Sequence, residues 1–117
     1  MLKDIIDQLH RTTGLINLSE LLTDRDQHDQ TALHLAVASG NYGVTSLLLE
    51  KGSSVNVSRF GMITPLHLAA SNGDYEIVQL LLSYNAEIEA RNAQGETALH
   101  RAAAMNREVV VNFLIER

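Results

Sequence analysis

The sequence predicts an all-α solenoid: a stack of helix-turn-helix repeats joined by short hairpin-like fingers. Three observations carry this. The heptapeptide Thr64-Pro65-Leu66-His67-Leu68-Ala69-Ala70 recurs as Thr31-Ala32-Leu33-His34-Leu35-Ala36-Val37 and as Thr97-Ala98-Leu99-His100-Arg101-Ala102-Ala103, each 33 residues from the next. A fixed period of that length marks a repeat architecture and changes how every other residue is read. After each copy comes a residue suited to left-handed geometry, Gly40, Gly73 or Asn106, which ends a helix. An apolar stripe at helical spacing then follows: Val44, Leu47 and Leu48; Ile77, Leu80 and Leu81; Val110, Phe113 and Leu114.

In chain order, residues 1–25 lack the heptapeptide. Leu2, Ile5, Ile6 and Leu9 fall at helical spacing among polar residues, so residues 2–11 read as an amphipathic helix that Thr12-Thr13-Gly14 breaks. Asn17-Leu18-Ser19-Glu20 offers an N-cap with a Glu three residues on, starting a short helix with Leu18, Leu21 and Leu22 apolar. Two helices with polar outer faces suit the N-terminal cap of a solenoid. The polar stretch 23–30 follows. Its Asp24, Asp26 and Asp29 lack the glycine and the distal Glu of a calcium loop, so a solvated turn is expected.

Within each heptapeptide, Thr is a competent N-cap, and Pro65, the chain's one proline, suits the first helical position. Leu33, Leu66 and Leu99 are expected as inward knobs. Ala36, Ala69 and Ala102 are small enough for neighbouring helices to approach closely. His34, His67 and His100 recur with the repeat, as structural residues should and a single catalytic or metal site need not. Gly52 and Asn85 close the second helices of the first two repeats. Tyr42 and Tyr75 share one repeat position and are expected to pack.

Composition bounds the function. Hydrophobic residues at 45% and charged residues at 20% are ordinary for a folded chain, and aromatics at 4% leave the core to Leu, Val, Ile and Ala. A net charge of −5 without any basic run gives no footprint for nucleic acid or an anionic membrane. With no cysteine, disulfides, thiolate metal sites and Cys nucleophiles are excluded. No apolar run approaches the ~18 residues of a membrane span. No Gly-x-Ser-x-Gly, phosphate loop, dinucleotide fingerprint or His-Glu-x-x-His occurs, so no enzyme is expected. No cofactor or metal is implied. With no apolar signal-peptide core at the start, an intracellular location is expected, cytoplasmic or nuclear.

The heptapeptide with its phase resembles the ankyrin repeat over roughly residues 26–117. The resemblance implies a single domain: a capping or degenerate repeat at 1–25, repeats at 26–58 and 59–91, and a partial repeat at 92–117. It assigns the histidines a hydrogen-bonding role, tying each helix start to the adjacent turn. It places Gly95 at the turn glycine, where the earlier repeats have Asp29 and Met62, so the finger Ser58–Ile63 is expected to have its own geometry. It also implies a concave face of fingers and first helices that binds another protein. On that face fall Gln27, His28 and Gln30; Arg59, Phe60, Met62 and Ile63; Gln94 and Glu96; and, late in the first helices, Ser39, Asn72 and Met105. Arg59, Phe60, Met62 and Ile63 stand out, because an aromatic, a Met and an Arg at a loop tip are types enriched at interface cores. The bland alternative folds Phe60 back onto a neighbouring finger.

The chain resembles in size the small ankyrin inhibitors of cyclin-dependent kinases, and equally a segment of a larger scaffold. The turn Leu48…Val55-Asn56 resembles ankyrin turns hydroxylated on asparagine, which makes Asn56 a candidate for that modification. Finally, Ala102–Met105 and Val109–Ile115 carry more apolar residues than one stripe uses. An exposed patch is expected there, met by further repeats or by self-association.

Overall fold

The computed structural model describes residues 18–117, so the helix expected over residues 2–11 lies outside the described residues. Seven helices are described: α1 (Leu18–Thr23), α2 (Ala32–Ala38), α3 (Tyr42–Glu50), α4 (Pro65–Asn72), α5 (Tyr75–Ser83), α6 (Ala98–Ala104) and α7 (Glu108–Glu116). Each first helix packs on its second helix, α2 with α3, α4 with α5 and α6 with α7. Across repeats, α2 meets α4 and α4 meets α6, while α3 meets α5 and α5 meets α7. The result is an all-α solenoid of two helical layers, with α1 against α2 at one end. The short helix expected from Leu18 is α1, and its Leu22 is buried in the common core.

Every first helix starts in the same way. Thr31, Thr64 and Thr97 are extended N-caps whose hydroxyls accept from the backbone N–H of His34, His67 and His100. In return the Nδ1 of each histidine accepts from the backbone N–H of its threonine, at 3.2, 3.2 and 3.0 Å. This is a capping box with histidine in the place usually held by Glu or Gln. An imidazole whose Nδ1 accepts must carry its proton on Nε2 to donate elsewhere. His34 Nε2 donates to the Ile63 carbonyl (3.1 Å) and His67 Nε2 to the Glu96 carbonyl (2.9 Å). The histidine therefore ties its own helix start to the finger of the following repeat.

The helix ends follow the sequence equally closely. Gly40, Gly73 and Asn106 are left-handed, at φ 72°, 76° and 58°, and so are Gly52 and Asn85. The residue after each of the first three donates back across the helix end, Asn41 to Ala36, Asp74 to Ala69 and Arg107 to Ala102. At Gly73 a second reason for glycine is steric, since a Cβ there would lie 2.7 Å from Arg107 Cδ. That arginine crosses close because its Nε donates to the Ser71 carbonyl at the end of α4.

Leu33, Leu66, Ala36, Ala69 and Ala102 are buried as expected. Leu99 is only half-buried, since no further helix pair lies against it among the described residues. Tyr75 meets Phe113 edge-to-face at 5.2 Å. Tyr42, at the same repeat position, is 46% exposed and has no ring partner among the described residues, so it packs only in part. The residue facing it from the next repeat is Leu80 rather than an aromatic.

Burial holds His34 below the ordinary histidine range, helped by the nearby positive charges of Arg59 and Arg25 and opposed by the bond to Ile63. The unfolded chain takes up a proton at residue 34 near pH 6.5 that the folded chain refuses. This contribution to stability is complete above that pH and is lost as the pH falls through the folded-state pKa. Urea midpoints should therefore drop between pH 7.5 and 5.5, by at most about 1.4 kcal/mol per pH unit for this group. Midpoints that stay flat over that window, or the same slope in His34→Gln, would contradict the assignment.

Candidate protein-binding face

The three fingers share a backbone plan. Asp26, Arg59 and Asn92 each donate their N–H across the finger to the carbonyl of Gln30, Ile63 and Glu96. One residue before the return, Asp29, Met62 and Gly95 are all left-handed. In the outer two fingers a side chain fills the loop. Asp26 Oδ1 accepts from the N–H of His28 (2.8 Å) and of Gln30 (2.9 Å). Asn92 Oδ1 accepts in the same way from Gln94 (3.0 Å) and Glu96 (2.9 Å). These bonds, the Gln30 one first, lower the pKa of the exposed Asp26 carboxylate. Asp29 is paired with Arg25 at 3.3 Å, so both aspartates serve the turn.

The middle finger departs from this plan, as its sequence suggests. Arg59 stands where the others have Asp or Asn, and it cannot fold its side chain back as an acceptor. The backbone closes on itself instead, with Arg59 and Ile63 exchanging both hydrogen bonds (3.0 and 3.3 Å). Gly61 and Met62 are then left-handed in succession, at φ 84° and 58°. Three neighbours hold this backbone from outside: Arg25 Nη1 donates to Ser58 O (2.7 Å), His34 to Ile63 O, and Ala93 N–H to Gly61 O (2.7 Å). The side chains are left to solvent, with Phe60 70% and Met62 59% exposed. Phe60 does not fold back onto a neighbouring finger.

Between the middle and last fingers lies a cleft of about 360 Å3, lined by Arg59, Ile63, His67, Leu68, Ser71, Asn92, Gln94, Glu96 and Arg101. Arg101 crosses its floor, 3.6 Å from Glu96 and donating to Ser71 Oγ at 3.2 Å. The Asn92 amide, with Arg101 behind it, holds the Glu96 carboxyl below its usual range. Arg59 Nε is buried without a hydrogen-bond partner among the described residues.

The expected face is thus divided. Arg59, Ile63, Gln94 and Glu96 meet in the cleft, with Phe60 and Met62 on the finger beside it. Gln27 and His28 are exposed on the first finger and Gln30 is half-buried there. Ser39 and Met105 are exposed at the ends of α2 and α6, and neither lines the cleft. Asn72 is committed to structure, its amide donating to Ala38 O at 3.1 Å across the repeat boundary. Asn56 is likewise engaged, accepting from Glu87 N–H (2.8 Å) and donating to Asn85 O (3.4 Å), so a modifying enzyme would have to open that bridge. The sequence reading missed Leu68 and Arg101, which with the exposed Leu35 occupy one repeat position. The residue after each histidine is Leu, Leu and then Arg, a single change no larger than those elsewhere in the motif.

Stacked helix pairs with protruding fingers and a lined cleft define a helical repeat scaffold. The family model described as ankyrin repeats (3 copies) matches residues 58–117, and that described as ankyrin repeats (many copies) matches residues 33–82. The chain belongs to the ankyrin-repeat family. Ankyrin repeats are generally protein–protein interaction modules, built on a non-catalytic fold. No curated protein matches the chain. Among the described residues, no helix is long and apolar enough to cross a membrane, and no cluster of His, Cys, Asp or Glu could hold a metal.

Replacing Asn92 by Ala leaves the Gln94 and Glu96 amides without their acceptor, which should cost about 1–3 kcal/mol. Native-state hydrogen exchange should show those two amides opening more readily, with α4 and α5 amides little changed. Uniform acceleration across all helices would mean that the clamp is not local.

Proposed function

We propose that this chain is a non-enzymatic binding protein whose partner docks on the middle finger and the adjoining cleft. In this reading a single domain, with repeats at 26–58, 59–91 and 92–117 behind a capping segment, presents the face. The observation that carries it is Met62. A methionine in left-handed geometry costs about 1–2 kcal/mol relative to a glycine, and the outer fingers use Asp29 and Gly95 at that position. Met62 recovers little by burial, at 59% exposed. Strain and exposed apolar area at one residue are explained by contact with a second molecule.

Phe60 beside it adds an exposed aromatic, and the backbone bonds around both residues hold them ready, which lowers the entropy cost of association. Arg59 lines the adjoining cleft and brings a guanidinium to it. Hot spots favour such aromatic and arginine anchors. Gln94, Glu96, Leu68 and Arg101 line the wall and floor that would flank the docked segment, and Gln27, His28 and Gln30 extend the face onto the first finger.

The test pairs an unbiased pull-down with affinity and stability measurements on the recovered partner. Phe60→Ala should weaken binding by about 1–3 kcal/mol with little change in melting temperature. Met62→Asn should act with opposite signs, raising stability by about 0.5–1 kcal/mol as strain is relieved while weakening the complex. Unchanged affinity in both variants would remove the middle finger from the interface.

A further inference from the structure

The outer surface of α6 and α7 can be compared, position by position, with the surfaces that α2/α3 and α4/α5 turn toward the next repeat. His34 and His67 are 0% and 3% exposed, whereas His100 is exposed. Val37 and Ala70 are fully buried, whereas Ala103 is exposed. Thr45 and Val78 are buried and Val111 is only half-buried. Leu49 and Leu82 are buried, whereas Ile115 is 66% exposed. At each of these positions the third repeat keeps a residue of the kind that the first two bury.

Other exposed apolar residues of the third repeat behave differently. Val109 matches Gly43 and Glu76, and Met105 matches Ser39 and Asn72, all of them exposed. Apolar character at an always-exposed position carries no message. The four positions above form the face that, in the first two repeats, is the repeat-to-repeat interface.

His100 makes the comparison chemical. Its Nδ1 accepts from the Thr97 N–H, so its proton is on Nε2, as in His34 and His67. Those two donate to carbonyls on the following finger, and His100 Nε2 has no such acceptor among the described residues. The missing partner is therefore specified: a backbone carbonyl, 29 positions further along the same register, as Ile63 is from His34 and Glu96 from His67.

We infer that the outer face of α6 and α7 is a stacking surface fitted to a further 33-residue helix-turn-helix repeat in the same register. Its finger supplies a carbonyl to His100 Nε2, and its two helices cover Ala103, Val111 and Ile115. The interface is continuous with the two already built into the chain. A second copy is a poorer occupant. Two-fold pairing would set this face against itself, not against the finger side of a repeat that supplies the carbonyls in the two interfaces already present. Head-to-tail stacking needs the outer side of α2, where α1 lies. The inference is independent of the middle finger and of any partner bound there.

The test compares the 117-residue chain with one extended after Arg117 by a second copy of residues 85–117, which brings Asn85 into the left-handed position that follows each second helix. The extension should raise Tm by at least about 5 °C. A slowly exchanging His100 Nε2–H should appear by nitrogen-15 NMR in the extended chain alone. Ile115→Glu should abolish the rise in the extended chain while leaving the shorter chain's Tm within about 2 °C, and Val109→Glu should leave the rise intact. An extension that gives no rise, or a rise indifferent to Ile115→Glu, overturns the inference. So does sedimentation showing the 117-residue chain to be a dimer that Ile115→Glu dissociates, which would make the occupant a second copy.

Discussion

The structure depends on one side chain used twice. Each motif histidine closes a capping box with its own threonine through Nδ1 and reaches the next finger through Nε2. Because one nitrogen accepts a backbone proton, the other must donate one, so the local bond at the helix start fixes the tautomer needed for the bond between repeats. A neutral ring is required for both. Glutamate at the same capping position could accept from the threonine N–H but could not also donate to a carbonyl. Histidine couples helix initiation to stacking, and at His34 burial favours the neutral ring that serves both.

Once that rung is set, the middle finger is fixed by its neighbours rather than by its own side chains. Its outer relatives spend Asp26 and Asn92 on filling the loop, so a side chain of their own holds those turns closed. Arg59 cannot do this, so the loop leans on Arg25, His34 and Ala93 from the repeats on either side. The exchange frees the tip residues from any structural duty, and Phe60 and Met62 can be chosen for what they meet outside. Rigid backbone with unspent apolar side chains is the combination that association favours, since little order remains to be imposed on docking.

How legible this was in the sequence follows from the same division. Thr-x-x-His, the buried leucines and alanines, and Gly40, Gly73 and Asn106 are dictated by local geometry, which repeats every 33 residues and so announces itself. Residues that act across a repeat boundary were harder to read. Asn72 fell among the expected binding residues, yet its amide donates to Ala38 O of the preceding repeat. Spacing alone cannot reveal a partner more than 30 residues away whose own position does not repeat. Leu68 and Arg101 sit inside the repeated motif, at a position that is Leu in two copies and Arg in the third, and only the geometry shows that both border the cleft. Tyr42 packs only in part because a shared repeat position does not bring a shared partner, and Leu80 is not Phe113.

A stack of this kind has no single centre, and stability is a sum over repeats and the interfaces between neighbours. Among the described residues, the second repeat is the one with helix pairs on both faces, and its core residues Leu66, Ala69, Ala70, Ile77, Val78 and Leu81 are all essentially inaccessible. Opening it means breaking two interfaces, whereas the third repeat opens by breaking one. Local unfolding free energy should therefore be highest in the middle and lower toward α7. The strained left-handed Met62 and the exposed Phe60 sit on that most buttressed repeat. Strain is retained only where the surroundings over-determine the backbone, and here the surroundings are the two neighbouring repeats. The place of the strained middle finger in the array is thus a consequence of the stacking that the histidine rungs hold in register.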